Sequence, residues 1–345
     1  MGRTTIDDVA ERAGVSKSTV SAVMNDSRPV SDGTRSKVMA AVSELNYRPR
    51  STARNRMRSG RSIGIVVKER ANPFFSEIAD GVSRRAREAG YTVYTASSEG
   101  DFAAETEIIE DLQRRDTDGL IIYPVMNDET DLTNLIELRR ARMPFVLMEH
   151  ILGVKANTVD VSLLSASKAA VSYLIENGHR RIVHFAGPAY STHSDDRIAG
   201  MRHAFSESEL AFSDRMVVQA GARMEDGYRA ALNYLESVDP DDRATAATCF
   251  NDLVAVGVAR ALRENGLDVP GDVSLIGCDG IDLLDFMPTP LTTLRSPRRE
   301  MGACAADILI HQIEADTQPD IQQVSFEPEL VVRASTRPIR SVGAA

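Results

Sequence analysis

Residues 5–26 read TIDDVAERAGVSKSTVSAVMND, and their spacing decides how the amino end of this 345-residue chain folds. Ile6, Val9, Ala10 and Ala13 fall at i, i+3, i+4 and i+7, one apolar stripe of a first helix. Gly14 can take the left-handed conformation that ends it. Ser16 is placed to cap a second helix that turns Val20, Val23 and Met24 inward. What remains on that helix is Lys17, Ser18, Thr19 and Ser21, a face with little to bury. Asn25 to Pro29 break it, and Ser31 can cap a third helix carrying Val38, Ala41, Val42 and Leu45. Two helices joined by a tight glycine-containing turn form a helix-turn-helix, whose second helix enters the DNA major groove. Short hydroxyls and a lysine suit that face, because they reach phosphates and base edges at small entropic cost. A plain three-helix bundle with a polar exterior is the alternative.

Charge separates this head from the rest. Residues 1–60 carry eleven Lys/Arg against six Asp/Glu, a balance of +5 within a chain whose net charge is -10. A basic head on an acidic body is drawn to a polyanion by one end only. Apolar residues make up 43% and charged residues 26%, ordinary for a globular protein. No run of 18 apolar residues predicts a membrane span, and the acidic opening is no secretory signal. Cys249, Cys278 and Cys304 are too widely spaced for a disulfide framework or a zinc site, which fits a reducing cytoplasm.

TIDDVAERAGVSKSTVSAVMND together with PVSDGTRSKVMAAVSELNYRP closely resembles the DNA-binding head of the LacI/GalR transcriptional regulators. The resemblance implies a homodimer on a pseudo-palindromic operator, a repressor whose affinity a small effector controls. On it, Lys17, Ser18 and Ala22 face base edges, while Thr5, Ser16, Thr19, Ser21, Asn25, Ser31 and Thr34 hold the phosphate backbone. Family members commonly carry an arginine where this chain has Ala22; a methyl can meet thymine but cannot grip a guanine, which implies a different base preference. Residues 48–61 resemble the family's hinge, in which a leucine wedges into the minor groove. Here Arg56 stands in that place. Either Met57 supplies the wedge, the favoured reading, or Arg56 and its neighbour Arg54 meet a narrowed groove electrostatically. An unordered basic linker is the alternative.

From residue 62 the pattern changes to short apolar strands alternating with helices. Ile63–Val67, Tyr91–Ala96, Gly119–Tyr123 and Pro144–Met148 form one series; Arg181–Phe185, Ala246–Phe250 and Val273–Cys278 form a second. This order predicts an α/β body of two doubly wound parallel-sheet subdomains. It resembles periplasmic sugar-binding proteins and the effector half of the same family, through NPFFSEIADGV, NGHRRIVHFAGP, CFNDLVAVGVARAL and DVPGDVSLIGCDG. The expected organisation is a head over 1–47, a hinge over 48–61 and a body over 62–340. The resemblance implies crossings near 160, 291 and 325, with residues 62–160 and 292–325 in one subdomain and 161–290 and 326–340 in the other.

Ligands of open parallel sheets sit beyond the carboxyl ends of the strands. Glu149, Asn251 and Asp279 follow predicted strands, and Arg197 is read as preceding a helix after the Ala186-Gly187-Pro188 turn. Carboxylates, an amide and an arginine suit a neutral polyhydroxylated effector, a sugar or sugar derivative, with a nucleobase as the other option. The family places effector-binding residues at those four positions. Phe74 and Phe75 line the cleft or pack its floor, and capping fits Asp252 better than binding. Where the family has an Asp-Asn pair this chain has Ser162-Leu163, which alters one wall. Neither GxGxxG, GxxxxGK[ST] nor GxSxG supports a cofactor or enzyme reading, and the six histidines show no metal spacing. The alternative function is a transporter's solute-binding protein, which fits neither the head nor the missing signal peptide. Without terminal leucine heptads, a dimer is expected rather than a tetramer.

Overall fold

A computed structural model describes residues 5–25, 28–45, 61–126, 132–317 and 319–339 of the chain, which divide into two compact units at Arg61/Ser62. The hinge residues Arg54, Arg56 and Met57, and the Asn25 side chain, lie outside the description.

The first unit is three helices, α1 (Ile6–Ala13), α2 (Lys17–Asn25) and α3 (Asp32–Glu44). Thr5 caps α1 in a reciprocal capping box with Asp8, and Gly14 closes it at φ 64°, a conformation that favours glycine. Val15 N–H then returns to the Ala10 carbonyl at 3.0 Å, which sets the tight turn into α2. Val9, Ala10, Val20, Val23, Val38 and Ala41 meet in one small core, with Met24, Val42 and Leu45 packed at its edge.

The second unit holds two six-stranded sheets. The first comprises β1 (Ser62–Val67), β2 (Thr92–Ser97), β3 (Gly119–Ile122), β4 (Phe145–Leu147), β5 (Asn157–Val161) and β11 (Gln323–Phe326), in the order β11-β5-β4-β3-β1-β2. Helices α4 (Pro73–Glu88), α5 (Phe102–Arg114) and α6 (Thr133–Arg140) connect its strands. The second sheet comprises β6 (Ile182–Ala186), β7 (Val217–Gln219), β8 (Ala246–Cys249), β9 (Ser274–Asp279), β10 (Thr292–Arg295) and β12 (Glu329–Val331), in the order β12-β10-β9-β8-β6-β7. Its helices are α7 (Leu163–Glu176), α8 (Thr192–Ser206), α9 (Met224–Ser237) and α10 (Asp252–Glu264); α11 (Arg298–Glu314) returns to pack on α4.

Strand burial explains the continuous apolar runs: every residue of β1, β3 and β4 is buried, because helices cover both faces. Ile63, Ile65 and Val67 point to the α4 side with Ile121 and Val146, while Val66, Leu120 and Leu147 point to the α5 side. All pairings are parallel except β12 against β10, an antiparallel edge strand. One boundary differs from the sequence reading. Thr292–Arg295 pairs with β9, so these residues belong to the second sheet and the crossing falls after Arg295 rather than near 291. TTLR carries no local mark of which sheet it joins; hydrogen bonding to β9 settles it.

Candidate effector cleft and DNA-facing helix

The strand orders reverse direction between β1 and β3 in one sheet and between β6 and β8 in the other, and both switch points open on one cleft of about 570 Å³. All six residues expected at this site line it: Phe74, Phe75, Glu149, Arg197, Asn251 and Asp279. They are brought together from α4, from the ends of β4, β8 and β9, and from α8.

Arg197 lies within α8, not before a helix. The apolar spacing of α8 is weak, and His193 and two aspartates fill its first turns, so the periodic signal there is faint. Its guanidinium is 5% exposed, stacks 4.4 Å over the Phe250 ring, and donates to the His193 carbonyl at 2.7 Å and to the Cys278 sulfur at 3.3 Å. Its Nε is buried with no partner among the described residues. Asn251 both caps and lines: its Oδ1 accepts from Val254 N–H at 2.8 Å and its Nδ2 donates to the Ala222 carbonyl at 2.8 Å. Asp252 is not the cap. It is fully buried, off the cleft, and accepts from Ile281 N–H at 2.8 Å and the Thr293 hydroxyl at 2.7 Å, which fixes the corner after β9.

That corner carries Asp279, at φ 127°, a backbone region side chains rarely adopt. Its carboxylate accepts from Asn72 Nδ2 at 3.3 Å. Burial, reinforced by the Asp252 carboxylate, pushes the Asp279 carboxyl up to about 8, which favours the neutral form that can donate as well as accept. Glu149 behaves oppositely. Burial alone would raise it, but the Lys68 ammonium paired with it and nearby His193 hold it below the usual carboxylate value. Its other oxygen accepts from the Thr192 hydroxyl at 3.0 Å. Asp160 likewise overcomes its burial through His193, 2.9 Å away, and the N–H groups of His150 and Val161.

Phe74, Phe75 and Tyr123 pack edge to face, with centroids 5.0 to 6.2 Å apart, so the rings line the cleft and floor it at once. The Tyr123 hydroxyl is buried, lacks a partner among the described residues, and is held well above its ordinary pKa by burial and by the Asp160, Glu149 and Asp279 carboxylates. Tyr123, Lys68, Asn72, His193 and Arg223 were not singled out from sequence. The rule that found Glu149 also reaches Lys68 and Tyr123, since each directly follows a strand. Leu163, in place of a polar residue, adds an apolar patch beside Val161.

In the first unit, Ser16 accepts from Thr19 N–H at 3.2 Å and Ser31 from Thr34 N–H at 3.4 Å, so both cap helices as their spacing suggests. The Thr5 hydroxyl is engaged with Asp8 at 2.8 Å. Lys17 and Ser18 are exposed, and Lys17 pairs with Asp7 at 2.9 Å, a contact weak enough at the surface to give way to a phosphate. Ala22 corrects the expectation: it is 2% exposed, so its methyl is closed to a base edge in this arrangement. An alanine's spacing is silent about such cover, because it fits an inner or an outer face equally well.

Among the described residues no group of three or more His, Cys, Asp or Glu is placed to hold a metal, and no helix is long and apolar enough to cross a membrane. The family model for bacterial regulatory proteins, lacI family, matches residues 5–50, and that for a periplasmic binding protein-like domain matches residues 171–336. The HTH-type transcriptional repressor PurR of Vibrio campbellii is 35% identical over 337 residues, 96% of this chain and 98% of that one. The ribose operon repressor of Escherichia coli is 36% identical over 335 residues, 96% and 99% of the two chains. Among solved structures, the lac repressor dimer bound to operator and the anti-inducer ONPF aligns over 97% of this chain and 100% of that one, with a TM-score of 0.69 and 27% identity. A three-helix head with an outward hydroxyl face, a two-sheet body with one cleft at both switch points, and identity above 30% over 96% of the chain to named repressors place this chain in the LacI family of bacterial regulatory proteins.

Proposed function

We propose that this protein is a homodimeric transcriptional repressor of the cytoplasm, not an enzyme, which reads a pseudo-palindromic operator with α2 and releases or tightens on it when the cleft takes a neutral, unphosphorylated sugar. The observation that carries the sugar reading is internal charge pairing. Lys68 pairs with Glu149, His193 bonds Asp160 at 2.9 Å, Arg223 pairs with Glu69 at 3.0 Å, and burial favours the neutral form of Asp279. Arg197, the lining arginine with no ion pair among the described residues, is turned to the Phe250 ring, the His193 carbonyl and the Cys278 sulfur. What remains unsatisfied is the Tyr123 hydroxyl and Arg197 Nε, beside a neutral carboxyl and an aromatic wall. That set supplies donors and acceptors to hydroxyls and ring faces to the C–H side of a sugar.

Lys17, Ser18, Ser16, Thr19, Ser21, Ser31, Thr34, Thr5 and Asn25 form the proposed DNA face of the head, with Arg54, Arg56 and Met57 in the hinge. A solute-binding role for a transporter leaves this face without a purpose. A purine base is the second reading of the cleft, favoured by the relatives named PurR and by the Phe74 and Phe75 rings.

The test is a melting-temperature screen of the full-length protein against D-ribose, D-glucose, D-galactose and hypoxanthine, repeated as gel retardation of genomic fragments. A sugar that raises the melting point and shifts DNA affinity supports the proposal. Stabilisation by hypoxanthine alone transfers the cleft to purines, and failure to retard any fragment at modest ionic strength removes the regulatory reading altogether.

A further inference from the structure

The cleft residue Asp279 is held from two directions by residues of the first-sheet half of the body. Asn72, the cap of α4, donates to its carboxylate. Arg298, at the start of α11, donates through Nη1 to its backbone carbonyl. Through Nη2 the same guanidinium donates to both carboxylate oxygens of Glu77, at 3.1 and 3.2 Å, and stands 3.5 Å from Asp282. Glu77 lies on α4, one turn from Asn72 and beside Phe74 and Phe75. The contacts therefore form a closed ring, from α4 through Asn72 to Asp279, and back through Arg298 and Glu77 to α4.

Three physical features make this ring more than packing. Arg298 is 5% exposed, so its charge is kept from water and depends on Glu77 for compensation. A planar fork aimed two ways fixes the separation of its two acceptors, which a flexible ammonium cannot do. The backbone it grips is the strained one at φ 127°, which persists only while its surroundings over-determine it. Behind the ring, α4 and α11 are locked in register: a Cβ on Gly81 would stand 2.2 Å from the Arg299 carbonyl oxygen, and one on Gly302 2.2 Å from that of Ile78. Movement of the corner is thus passed to α4 rather than absorbed by slippage between these helices.

We infer that Arg298 is a positioning residue that links the Asp279 corner to α4, so that a ligand engaging Asp279 resets the start of that helix through Glu77. The link rests on the reading of Asp279 as an effector contact. Amide hydrogen exchange on the full-length protein tests it without needing the effector. Gly280 N–H donates to the Thr293 hydroxyl at 3.2 Å and Ile281 N–H to Asp252 at 2.8 Å, so residues 280 and 281 start protected. Glu77→Gln, whose own partners are Arg298 and Arg299, speeds exchange at 280 and 281 by about tenfold. Arg298→Gln does the same, Arg298→Lys falls between it and wild type, and the Glu77→Gln/Arg298→Gln pair is no faster than Arg298→Gln alone. Unchanged exchange at 280 and 281 in Glu77→Gln, or additive effects in the pair, overturns the link. If Arg298→Gln does not fold, the Glu77→Gln result alone decides. A parallel D-ribose titration separates the two claims: wild-type protein that binds no ribose counts against the sugar, while the exchange result still decides the link.

Discussion

The head closes over Val9, Ala10, Val20, Val23, Val38 and Ala41, small side chains from three helices, whereas the body buries both faces of two six-stranded sheets. In the head the described groups proposed to meet DNA are exposed or half-buried and none belongs to the core. In the body they are themselves buried: Glu149 is 1% exposed, Asn251 4% and Asp279 6%. The first unit can therefore change what it reads without changing how it folds, and has little stability to spare. The second cannot alter its cleft without disturbing paired charges that also hold the two sheets together.

The largest effect should come from the head's core. Val38→Asp places a charge where the wild-type residue is fully buried, at a cost on the order of 3–5 kcal/mol, enough to unfold so small a bundle. Operator retardation should vanish while the body's thermal transition, followed by circular dichroism, stays in place; a shift of both would erase the independence argued here. Arg197→Ala should weaken sugar binding by about 2–5 kcal/mol in calorimetry, because it strips a buried guanidinium from Phe250 and the cleft, and should leave sugar-free DNA binding intact. Lys17→Ala should do the reverse, lowering operator affinity by about 1–3 kcal/mol and flattening the dependence of log K on log salt by about one, with no change in sugar affinity. Tyr123→Phe removes a hydroxyl that has no partner among the described residues, so the ligand-free melting point should hold or rise while sugar affinity falls by about 0.5–1.5 kcal/mol.

The remaining effect concerns pH. The raised Asp279 pKa means that the folded body keeps a proton the unfolded chain has already lost. Its contribution to stability is fully present below the ordinary carboxylate range and is lost as pH rises towards about 8. Asp279→Asn should flatten that decline in urea titrations between pH 5 and 8; an unchanged slope would assign the proton elsewhere.

Much of the cleft was readable because one rule, polar residues at the carboxyl ends of parallel strands, picks out Glu149, Asn251 and Asp279 without knowledge of the fold's interior. The same rule was not carried to β1 and β3, where Lys68 and Tyr123 sit. Arg197 lines the cleft as expected but lies inside a helix rather than before one, since the polar start of α8 hides the period. Asp252 and Asn251 are neighbours of the same capping type, and only the hydrogen bonds show that Asn251 caps while Asp252 holds the β9 corner.

The amino-acid sequence by itself determined the three helices of the head, their outward hydroxyl face, the alternation of strand and helix, and the end of each sheet on which a ligand sits. These depend on periodicities and caps within a few residues, which local chemistry enforces. Only the tertiary structure decided that Thr292–Arg295 joins the second sheet, that Ala22 is covered, that Lys68 pairs with Glu149 in the cleft, and that burial raises the Asp279 carboxyl. Each of those depends on burial and on partners brought from distant parts of the chain, such as Asn72 reaching Asp279 across 207 residues, and no local pattern records them.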